Sequence, residues 1–346
     1  MKKRITLQVA LLTAMFALSV STVAPVNGAA FGNDELLDAF DVALTNIIES
    51  GDYDTIFEAW FDGEVVLVDD TTTSTATEFP EATKGGTLAD ILDAGEIVFG
   101  SDTAYPPFES IDASGDVVGF DADIAAAIAT EFSTAYGITV VGTMQTAEWT
   151  PIKENLIAGE YDAILSAMTK TAERALVVDF TRAYYTSSQG ILRGTLDSSI
   201  IIDDVEDLWN DTTIKVALQQ DTTSDLYAQE FFEDYATRVS GFATIDLALA
   251  ALLAEDVHVV VGDTPVLKFY ETDNTGTSEL VATFSDENFG LAVRPNTGTA
   301  PADAGVIKPV GDSDDDGLPF PFIPLLAAFM AIPLIRRFRK FLCIKI

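Results

Sequence analysis

The chain has 346 residues, of which 48% are apolar, and a formal net charge of −36. This length and apolar content predict a folded protein with one two-lobed unit or two small domains. So acidic a surface repels phosphate backbones, which argues against nucleic acid as a partner. One histidine and one cysteine are too few for a zinc site or Cys–His catalysis, and we expect no metal and no cofactor.

The first 30 residues predict a secretory signal peptide. Lys2-Lys3-Arg4 is a basic start, an apolar stretch runs from Ile5 to Val20, and small residues follow around Gly28-Ala29-Ala30. An uncleaved amino-terminal anchor is the alternative, because the apolar stretch is fairly long. Either reading sends the following chain out of the cytoplasm.

Residues 31–62 predict two helices. Apolar residues between Leu37 and Ile48 fall on one helix face that breaks at Gly51, and Ile56–Phe61 carries a second such face. About 30 residues cannot form a stable core by themselves, so these helices must pack on another part of the chain. Residues 63–86, which include a run of Thr, Ser and Ala, predict a flexible linker.

From Thr87 onward, apolar strand patterns alternate with helical ones. A helix is predicted over Phe120–Phe132, where apolar residues recur at helical spacing. The predicted strands are Glu96–Gly100, Ile138–Val141, Ala163–Leu165, Ile214–Leu218 and Val257–Val261. This alternation predicts an α/β fold with mostly parallel sheets, in which ligands bind at the carboxyl ends of the strands.

The carboxyl-terminal part predicts a membrane anchor. Residues 297–317 form an acidic stalk, 318–335 are apolar and 336–346 are a basic tail. The apolar segment would be about 27 Å long as a helix, enough for a thin bilayer core, and the basic tail places that end in the cytoplasm. Processing of the tail, as in surface-sorting signals, stays open. Residues 312–317 also fit the start of a calcium loop, but Ile323 replaces the glutamate ligand, which favours a solvated stalk.

Several spaced motifs closely resemble one family, the extracellular amino-acid-binding proteins of ABC importers, between Thr87 and Pro295. They are Asp102-Thr103-Ala104-Tyr105-Pro106-Pro107-Phe108-Glu109, Gly119-Phe120-Asp121-Ala122-Asp123, Asp162–Arg174 with Asp179-Phe180, Val216–Thr223 and Gly262-Asp263-Thr264-Pro265. The resemblance implies an α/β, two-lobed type II periplasmic-binding-protein fold. It assigns residues 87–185 to lobe I and 186–287 to lobe II, with 288–296 returning to lobe I.

The order of segments departs from that family. There, the segment ending at Pro295 is followed by a closing pair of helices, whereas here Asn296–Val310 is rich in Thr, Ala, Pro and Gly. The missing pair resembles Asn33–Phe61 at the other end of the chain. We interpret this as a circular permutation, with 31–62 as the closing helices of lobe I. A tandem repeat that lost its first copy is the alternative, and the helices could also swap between neighbouring chains.

The resemblance also implies a site for a free amino acid. Burying its two charges requires an ionic partner for each. Arg174 would fork onto the ligand carboxylate, joined by backbone N–H groups of Thr169 and Thr223. Asp263 would hold the ammonium group, with the Thr169 hydroxyl and the Ala167 carbonyl. Taken singly, Arg174 could instead form a surface ion pair and Asp263 a turn.

Other residues would surround the ligand side chain. Tyr105 and Trp149 would sandwich it, while Phe108 is assigned to the core. The polar residues expected to face it are Asp102, Ser166, Gln219 and Ser224. An acid and an amide in this set hint at a polar ligand such as glutamine or a basic amino acid, although Asp102 could simply order its own turn.

The implied mechanism is hinge closure around the ligand, with lobe connections near Tyr184–Ser187 and Glu287–Gly290. The closed protein would deliver its amino acid to the membrane subunits of an ABC importer at the extracellular face of the cell membrane. One alternative is a same-fold enzyme of the cyclohexadienyl dehydratase type, with Glu109 or Glu148 as general acid. Another is a ligand-sensing ectodomain, which the short tail 336–346 disfavours.

Overall fold

A computed structural model describes residues 34–63, 76–84, 86–195, 201–202 and 204–295. The predicted signal peptide, the stalk 297–317, the anchor 318–335 and the tail 336–346 lie outside these residues. Within them, no helix has the length and apolar character needed to cross a bilayer.

The described chain alternates short helices and strands. The helices are α1 (Asp34–Ser50), α2 (Asp52–Trp60), α3 (Thr87–Ala94), α4 (Phe120–Tyr136), α5 (Ile152–Ala158), α6 (Val205–Asn210), α7 (Thr223–Phe231), α8 (Tyr235–Arg238), α9 (Ile245–Leu253) and α10 (Thr264–Asp273), with a 3₁₀ turn at Arg174–Leu176. The strands are β1 (Glu96–Ser101), β2 (Ala104–Tyr105), β3 (Glu109–Ile111), β4 (Val117–Val118), β5 (Val141–Thr146), β6 (Ala163–Ile164), β7 (Asp179–Phe180), β8 (Tyr185–Gly194), β9 (Val216–Gln219), β10 (Val239–Phe242), β11 (Val259–Asp263), β12 (Ser278–Phe289) and β13 (Ala292–Val293).

Two mixed five-stranded sheets organise these elements. The first has the order β5-β1-β6-β13-β7 and the second β10-β9-β11-β8-β12, while β2, β3 and β4 form a small separate sheet. In the first sheet β1 pairs in parallel with β5 and β6, whereas β13 pairs antiparallel with β6 and β7. In the second, β9 pairs in parallel with β10 and β11, whereas β8 runs antiparallel to β11 and β12. The expectation of mostly parallel sheets was therefore only half right.

The antiparallel strands were missed because they connect the two lobes rather than belong to βαβ units. β8 leaves the first lobe at Tyr185 and β12 returns to it at Phe289, and these two residues pair directly. Thr186 pairs with Asn288 and Ser187 with Glu287, so the two connections form one hydrogen-bonded ribbon. Such paired connections allow the lobes to rotate with few dihedral changes.

The strand predicted at Ile138–Val141 was misplaced. In the structure β5 begins at Val141 and runs to Thr146. It is an edge strand that pairs only with β1, and its side chains are exposed or half-buried. An edge strand needs no apolar run, so the apolar signal marked the residues that lead into it.

The leading helices complete the core of the first lobe. Phe40 of α1 is fully buried, and its ring centroid lies 6.0 Å from that of Phe99 in β1 and 5.5 Å from that of Phe132 in α4. Tyr53 of α2 packs edge-on against Phe120 at 5.7 Å. The apolar residues of α1 and α2 therefore face the aromatic core. This agrees with the expectation that two helices too small to form a core by themselves must pack on another part of the chain.

Polar contacts fix these helices in place as well. The Tyr53 hydroxyl donates to the Tyr184 carbonyl (2.6 Å), and the Trp60 indole donates to Asp123 (2.6 Å). Asp41 accepts a hydrogen bond from the Arg182 backbone N–H (2.6 Å). The helices thus contact α4 and the chain just before β8, the segment that leads to the second lobe.

Candidate ligand-binding cleft

A cavity lies between the two sheets. Its lining combines acids, hydroxyls, two aromatic rings and one arginine. The residues are Asp102, Tyr105, Glu109, Trp149, Ser166, Ala167, Thr169, Arg174, Gln219, Thr222, Thr223 and Asp263. Both lobes contribute, so a molecule held there touches each of them.

The carboxyl ends of parallel strands supply four residues of this lining. Asp102 directly follows β1, Ser166 lies two residues after the end of β6, Gln219 ends β9 and Asp263 ends β11. Parallel neighbours expose their carboxyl ends at the same sheet edge, which is where α/β folds hold ligands. The two edges face each other across the cavity.

Arg174 is the cation of the cleft. It lies in the 3₁₀ turn, is 5% exposed, and donates from one guanidinium nitrogen to the Thr169 carbonyl (2.8 Å). Its guanidinium carbon sits 5.1 Å from the Trp149 ring centroid, a cation–π distance. A second nitrogen lies 3.5 Å from the Asp221 carbonyl of the other lobe. Among the described residues it forms no ion pair, so its charge is held by carbonyls and a ring.

Asp263 is the matching acid from the second lobe. One carboxyl oxygen accepts from the Tyr105 hydroxyl (2.6 Å) and the other from the Gln189 side-chain amide (2.6 Å). Burial, and then the nearby Glu287 carboxylate, raise the pKa of Asp263 well above its usual range. A cationic group brought into the cavity would oppose that shift.

A network of polar side chains at the other end of the cavity joins the two lobes. The Gln219 amide donates to the Asp102 carboxylate (2.7 Å), and the Asp102 N–H donates to the Ser166 hydroxyl (2.9 Å). Ser166 in turn donates to Glu109 (2.7 Å), which is fully buried. Burial raises the pKa of Asp102 to about 6. This end of the cavity suits a group that donates hydrogen bonds or carries positive charge.

The backbone at Ala167 has an unusual conformation that Asp121 supports. Ala167 has φ +43°, in the left-handed region that a side chain disfavours. Its N–H donates to Asp121 (2.8 Å), and the Tyr184 hydroxyl donates to the same carboxylate oxygen (2.9 Å). Asp121 therefore holds the loop that carries Ala167 and Thr169 towards the cavity.

The start of α4 lies very close to the backbone of Phe108. Gly119, with φ +142°, precedes Asp121, and a Cβ there would lie 2.1 Å from the Phe108 carbonyl. Only glycine allows this approach. The motif Gly119-Phe120-Asp121 is thus explained by packing and by the support of Ala167.

A further contact joins the lobes at the cleft mouth. The Trp149 indole donates to the Asp221 carbonyl (3.1 Å), and the Thr150 hydroxyl donates to the Asp221 carboxylate (2.7 Å). Asp221 has φ +60°, a conformation that aspartate tolerates better than most residues. These bonds join Trp149 and Thr150 to Asp221 of the other lobe.

The structure brings together all the residues predicted for the site except Ser224. That residue lies behind the cavity, where its hydroxyl donates to the Gln189 side-chain carbonyl. Phe108 is fully buried in the aromatic core, as expected. Glu148 is exposed and does not line the cavity, whereas Glu109 does.

Sequence reasoning missed four residues in or behind the lining. The sequence signals point to Glu109 only as a catalytic acid, and they do not identify Thr222, Gln189 or Glu287 as site residues. Glu287 is 2% exposed and accepts hydrogen bonds from the hydroxyls of Thr169 (3.0 Å) and Thr223 (3.3 Å). The position of Gln189 directly opposite Asp263 in the β8–β11 pair was a possible signal, but it required the strand register.

Residues 97–299 match the family described as bacterial extracellular solute-binding proteins, family 3. The chain is 27% identical over 208 residues to ABC transporter arginine-binding protein 1 of Escherichia coli, covering 59% of this chain and 79% of that protein. It is 28% identical over 223 residues to the ABC transporter glutamine-binding protein GlnH of Bacillus subtilis, covering 63% and 76%.

Solved structures give the same result. Holo ArgBP from T. maritima superposes with a TM-score of 0.52 at 28% identity, covering 60% of this chain and 85% of that one. The ancestral amino acid-binding protein AncCDT-1, described as a precursor of cyclohexadienyl dehydratase, superposes with a TM-score of 0.54 at 31% identity, covering 60% and 86%. The two-lobed α/β fold expected from the sequence is therefore confirmed.

Proposed function

Because the chain belongs to the family 3 bacterial extracellular solute-binding proteins, we propose that it captures a free amino acid with a polar side chain by closing its two lobes. The ligand carboxylate binds Arg174 and the N–H groups of Thr169 and Thr223. The ammonium group binds Asp263, the Thr169 hydroxyl and the Ala167 carbonyl. Tyr105 and Trp149 flank the side chain.

One observation carries this proposal. Arg174 and Asp263 line the same buried cavity, one from each lobe, and Arg174 makes no ion pair with any described residue. Thr223 is the first residue of α7, and the first N–H groups of a helix have no acceptor within it, so they favour an anion. A zwitterion supplies one opposite charge to each partner.

The cavity also suggests which side chains fit. Asp102, Ser166 and Gln219 lie together at one end, and a carboxylate there favours a side chain that donates hydrogen bonds. Relatives named for arginine and for glutamine agree with this chemistry. The ligand is therefore a basic or amide-bearing amino acid.

The chain order is proposed to be circularly permuted. The family match begins at residue 97, while α1 and α2 precede it and yet contribute Phe40 and Tyr53 to the core of the first lobe. The linker 63–86 then joins the helices to the rest of the first lobe. Its described residues are not a free coil, because Phe79 packs edge-on against Phe132 (5.7 Å) and the Tyr136 hydroxyl donates to the Pro80 carbonyl (2.8 Å). These helices pack within their own chain.

We also propose how the protein is exported and anchored and how it delivers its amino acid. The signal peptide 1–30 directs the protein out of the cytoplasm, the apolar segment 318–335 anchors it, and the closed form is recognised by the membrane subunits of an ABC importer. The basic tail 336–346 faces the cytoplasm. Binding both lobes at once is what makes the closed form depend on the ligand.

A dehydratase is the second candidate, because one observation favours it. Glu109 lines the cavity, and burial raises its pKa well above the usual range, as a general acid requires. Its carboxylate, however, is held by Ser166 on the floor of the cavity. Incubation with a cyclohexadienyl acid, followed by ultraviolet absorbance of the aromatic product, separates the two; we expect no turnover.

Calorimetry of the full-length chain against the 20 common amino acids tests the binding proposal. We expect dissociation constants of about 1 µM or tighter, equivalent to about −8 kcal/mol, for a few basic or amide-bearing amino acids. Saturable heat with none of them contradicts the proposal. Turnover of a cyclohexadienyl acid would favour the enzyme instead.

A further inference from the structure

Gln189 lies in the middle of strand β8 and is completely buried, at 0% exposed. In the pairing of β8 with β11 it stands directly opposite Asp263. Its side-chain amide carries two N–H donors and one carbonyl acceptor. A buried amide is costly to leave without partners, so its place in the core depends on the hydrogen bonds that it makes within the second lobe.

The nitrogen of this amide holds Asp263. It donates to one carboxyl oxygen of Asp263 (2.6 Å), while the other oxygen accepts from the Tyr105 hydroxyl of the first lobe (2.6 Å). An ionised carboxylate only accepts hydrogen bonds, so the nitrogen of Gln189 must face Asp263 and the carbonyl must face away from it. Within the second lobe, Gln189 therefore fixes the direction of the acid that is proposed to hold the ligand's ammonium group.

The same amide also holds the start of helix α7. Its nitrogen donates to the Thr223 hydroxyl (3.1 Å), and its carbonyl accepts from the Ser224 hydroxyl. These are the first two residues of α7. One buried side chain thus joins the end of β11 to the beginning of α7.

The backbone N–H groups at the start of α7 are left available for an anion. Thr222, which precedes the helix, does not cap it with its side chain, because its hydroxyl donates to the Gln219 carbonyl instead (2.8 Å). The first N–H groups of a helix have no acceptor within it and favour a negative group. Since Gln189 anchors the side chains of Thr223 and Ser224, it limits the positions that these N–H groups can take.

We propose that Gln189 is a positioning residue that holds both halves of the amino-acid site in the second lobe, Asp263 for the ammonium group and the start of α7 for the carboxylate. This inference rests on the proposed amino-acid binding and deepens it. Gln189 does not line the cavity, so it acts through the residues that it holds and does not touch the ligand.

The geometry of an α-amino acid explains why such a link matters. Its ammonium and carboxylate groups are attached to one carbon atom, so their separation is fixed. A site that already holds the two partner groups at that separation loses less conformational freedom on binding than one that must bring them together. Loss of the link should therefore weaken binding and also reduce the advantage of a ligand that carries both charges.

Gln189→Met tests the inference, because it removes the amide and keeps a side chain of similar length. The full-length chain is titrated by calorimetry with L-arginine, with its carboxamide and with its des-amino analogue. L-glutamine and its two analogues replace them if the unsubstituted chain prefers glutamine. We expect the amino acid to bind about 10- to 100-fold more weakly, the effect of losing a hydrogen bond to a charged group.

The analogues supply the readout that a merely structural role would not change. In the unsubstituted chain each analogue should bind at least about 100-fold more weakly than the amino acid, by the ordinary effect of leaving a buried charge unpaired. In Gln189→Met we expect both ratios to fall to about tenfold or less. Gln229→Met, the same substitution at an exposed position of α7, is the control and should leave both ratios unchanged.

A second variant separates the two halves of the site. Ser224→Ala removes the bond from α7 to the Gln189 carbonyl and leaves the bond from Gln189 to Asp263 in place. We expect the ratio for the carboxamide to fall at least about threefold, because the carboxylate partner is loosened, while the ratio for the des-amino analogue stays the same. Urea denaturation followed by circular dichroism checks that each variant is folded.

Four results bear on the inference in different ways. Unchanged affinity in Gln189→Met overturns it, and so does a weaker variant whose two ratios keep their original size, because Gln189 would then support the second lobe only in general. If Gln189→Met does not fold, Ser224→Ala decides alone, and unchanged ratios in that variant overturn the inference. Saturable heat with no amino acid in the unsubstituted chain contradicts the proposed function itself and removes the inference with it.

Discussion

The two lobes have sheets of equal size but differ in how the chain builds them. The first is assembled from three separate stretches, α1–α2, the chain from α3 to β7, and β13, whereas the second lies within the segment from β8 to β12. The first holds most of the aromatic core and the cation of the cleft, and the second supplies Asp263 and Gln219. A lobe made of separate stretches depends on packing between parts that are distant in the chain, while a continuous lobe depends on packing within one segment.

The strongest test of that contrast is Phe40→Ala. Phe40 is fully buried between β1 and α4, so its removal leaves a cavity and costs about 3–5 kcal/mol of unfolding free energy. Urea denaturation followed by circular dichroism measures the loss. Glu49→Ala, at an exposed position of the same helix, is the control and should change stability by less than about 0.5 kcal/mol. A small effect of Phe40→Ala would mean that the first lobe folds without α1.

The next largest effect concerns ligand affinity. Arg174→Ala removes the buried cation of the first lobe, and we expect a loss of about 2–5 kcal/mol in binding, because the ligand carboxylate is left unpaired. Calorimetry measures it, with Arg193→Ala as the control, since Arg193 pairs with Glu279 at the surface of the second lobe. Unchanged affinity in Arg174→Ala would move the carboxylate site elsewhere.

The contribution of Asp102 should depend on pH. Because burial raises its pKa to about 6, the carboxylate is charged above that pH and becomes neutral as the pH falls through it. For a ligand with a cationic side chain, affinity is therefore full above pH 6 and is lost below it. Asp102→Asn should bind L-arginine about tenfold more weakly at pH 7.5 and lose this pH step. An identical profile in the variant would exclude contact between Asp102 and the ligand.

The smallest effect is expected at the cleft mouth. Thr150→Val removes the 2.7 Å bond to Asp221 that joins the lobes, worth about 0.5–1.5 kcal/mol and less at an exposed position. We expect a roughly threefold faster ligand dissociation, measured by stopped-flow tryptophan fluorescence. Thr130→Val on α4, where the hydroxyl bonds only within its helix, should leave the rate unchanged. Equal rates in both variants would show that the bond between Thr150 and Asp221 does not hold the lobes together.

Local sequence signals predicted the parts of the fold that rest on regular periodicity. The apolar face of α1, the break at Gly51 and the strand β1 all follow from such patterns, and the need of α1 and α2 for a partner followed from their size. The edge strand β5 escaped because it buries little. The antiparallel strands β8 and β12 escaped because pairing between distant strands leaves no local mark.

Sequence motifs pointed to the site residues that lie within them. They did not point to residues whose direction depends on strand register. Arg174 and Asp263 lie in recognisable motifs, and both line the cavity. Glu287 does not lie in such a motif. β12 changes register between Phe284 and Glu287, and this bulge breaks the alternation that would reveal which side chains face inward. Ser224 does not line the cavity, because its direction depends on the first turn of α7.

The most direct test of the central claim compares a bound amino acid with two analogues that each lack one charge. The full-length chain is titrated with L-arginine, with its carboxamide and with its des-amino analogue, under identical conditions. If Arg174 holds the carboxylate and Asp263 the ammonium group, each analogue binds at least 100-fold more weakly than L-arginine. Affinities of all three within about threefold of one another would contradict a cleft built for a zwitterion.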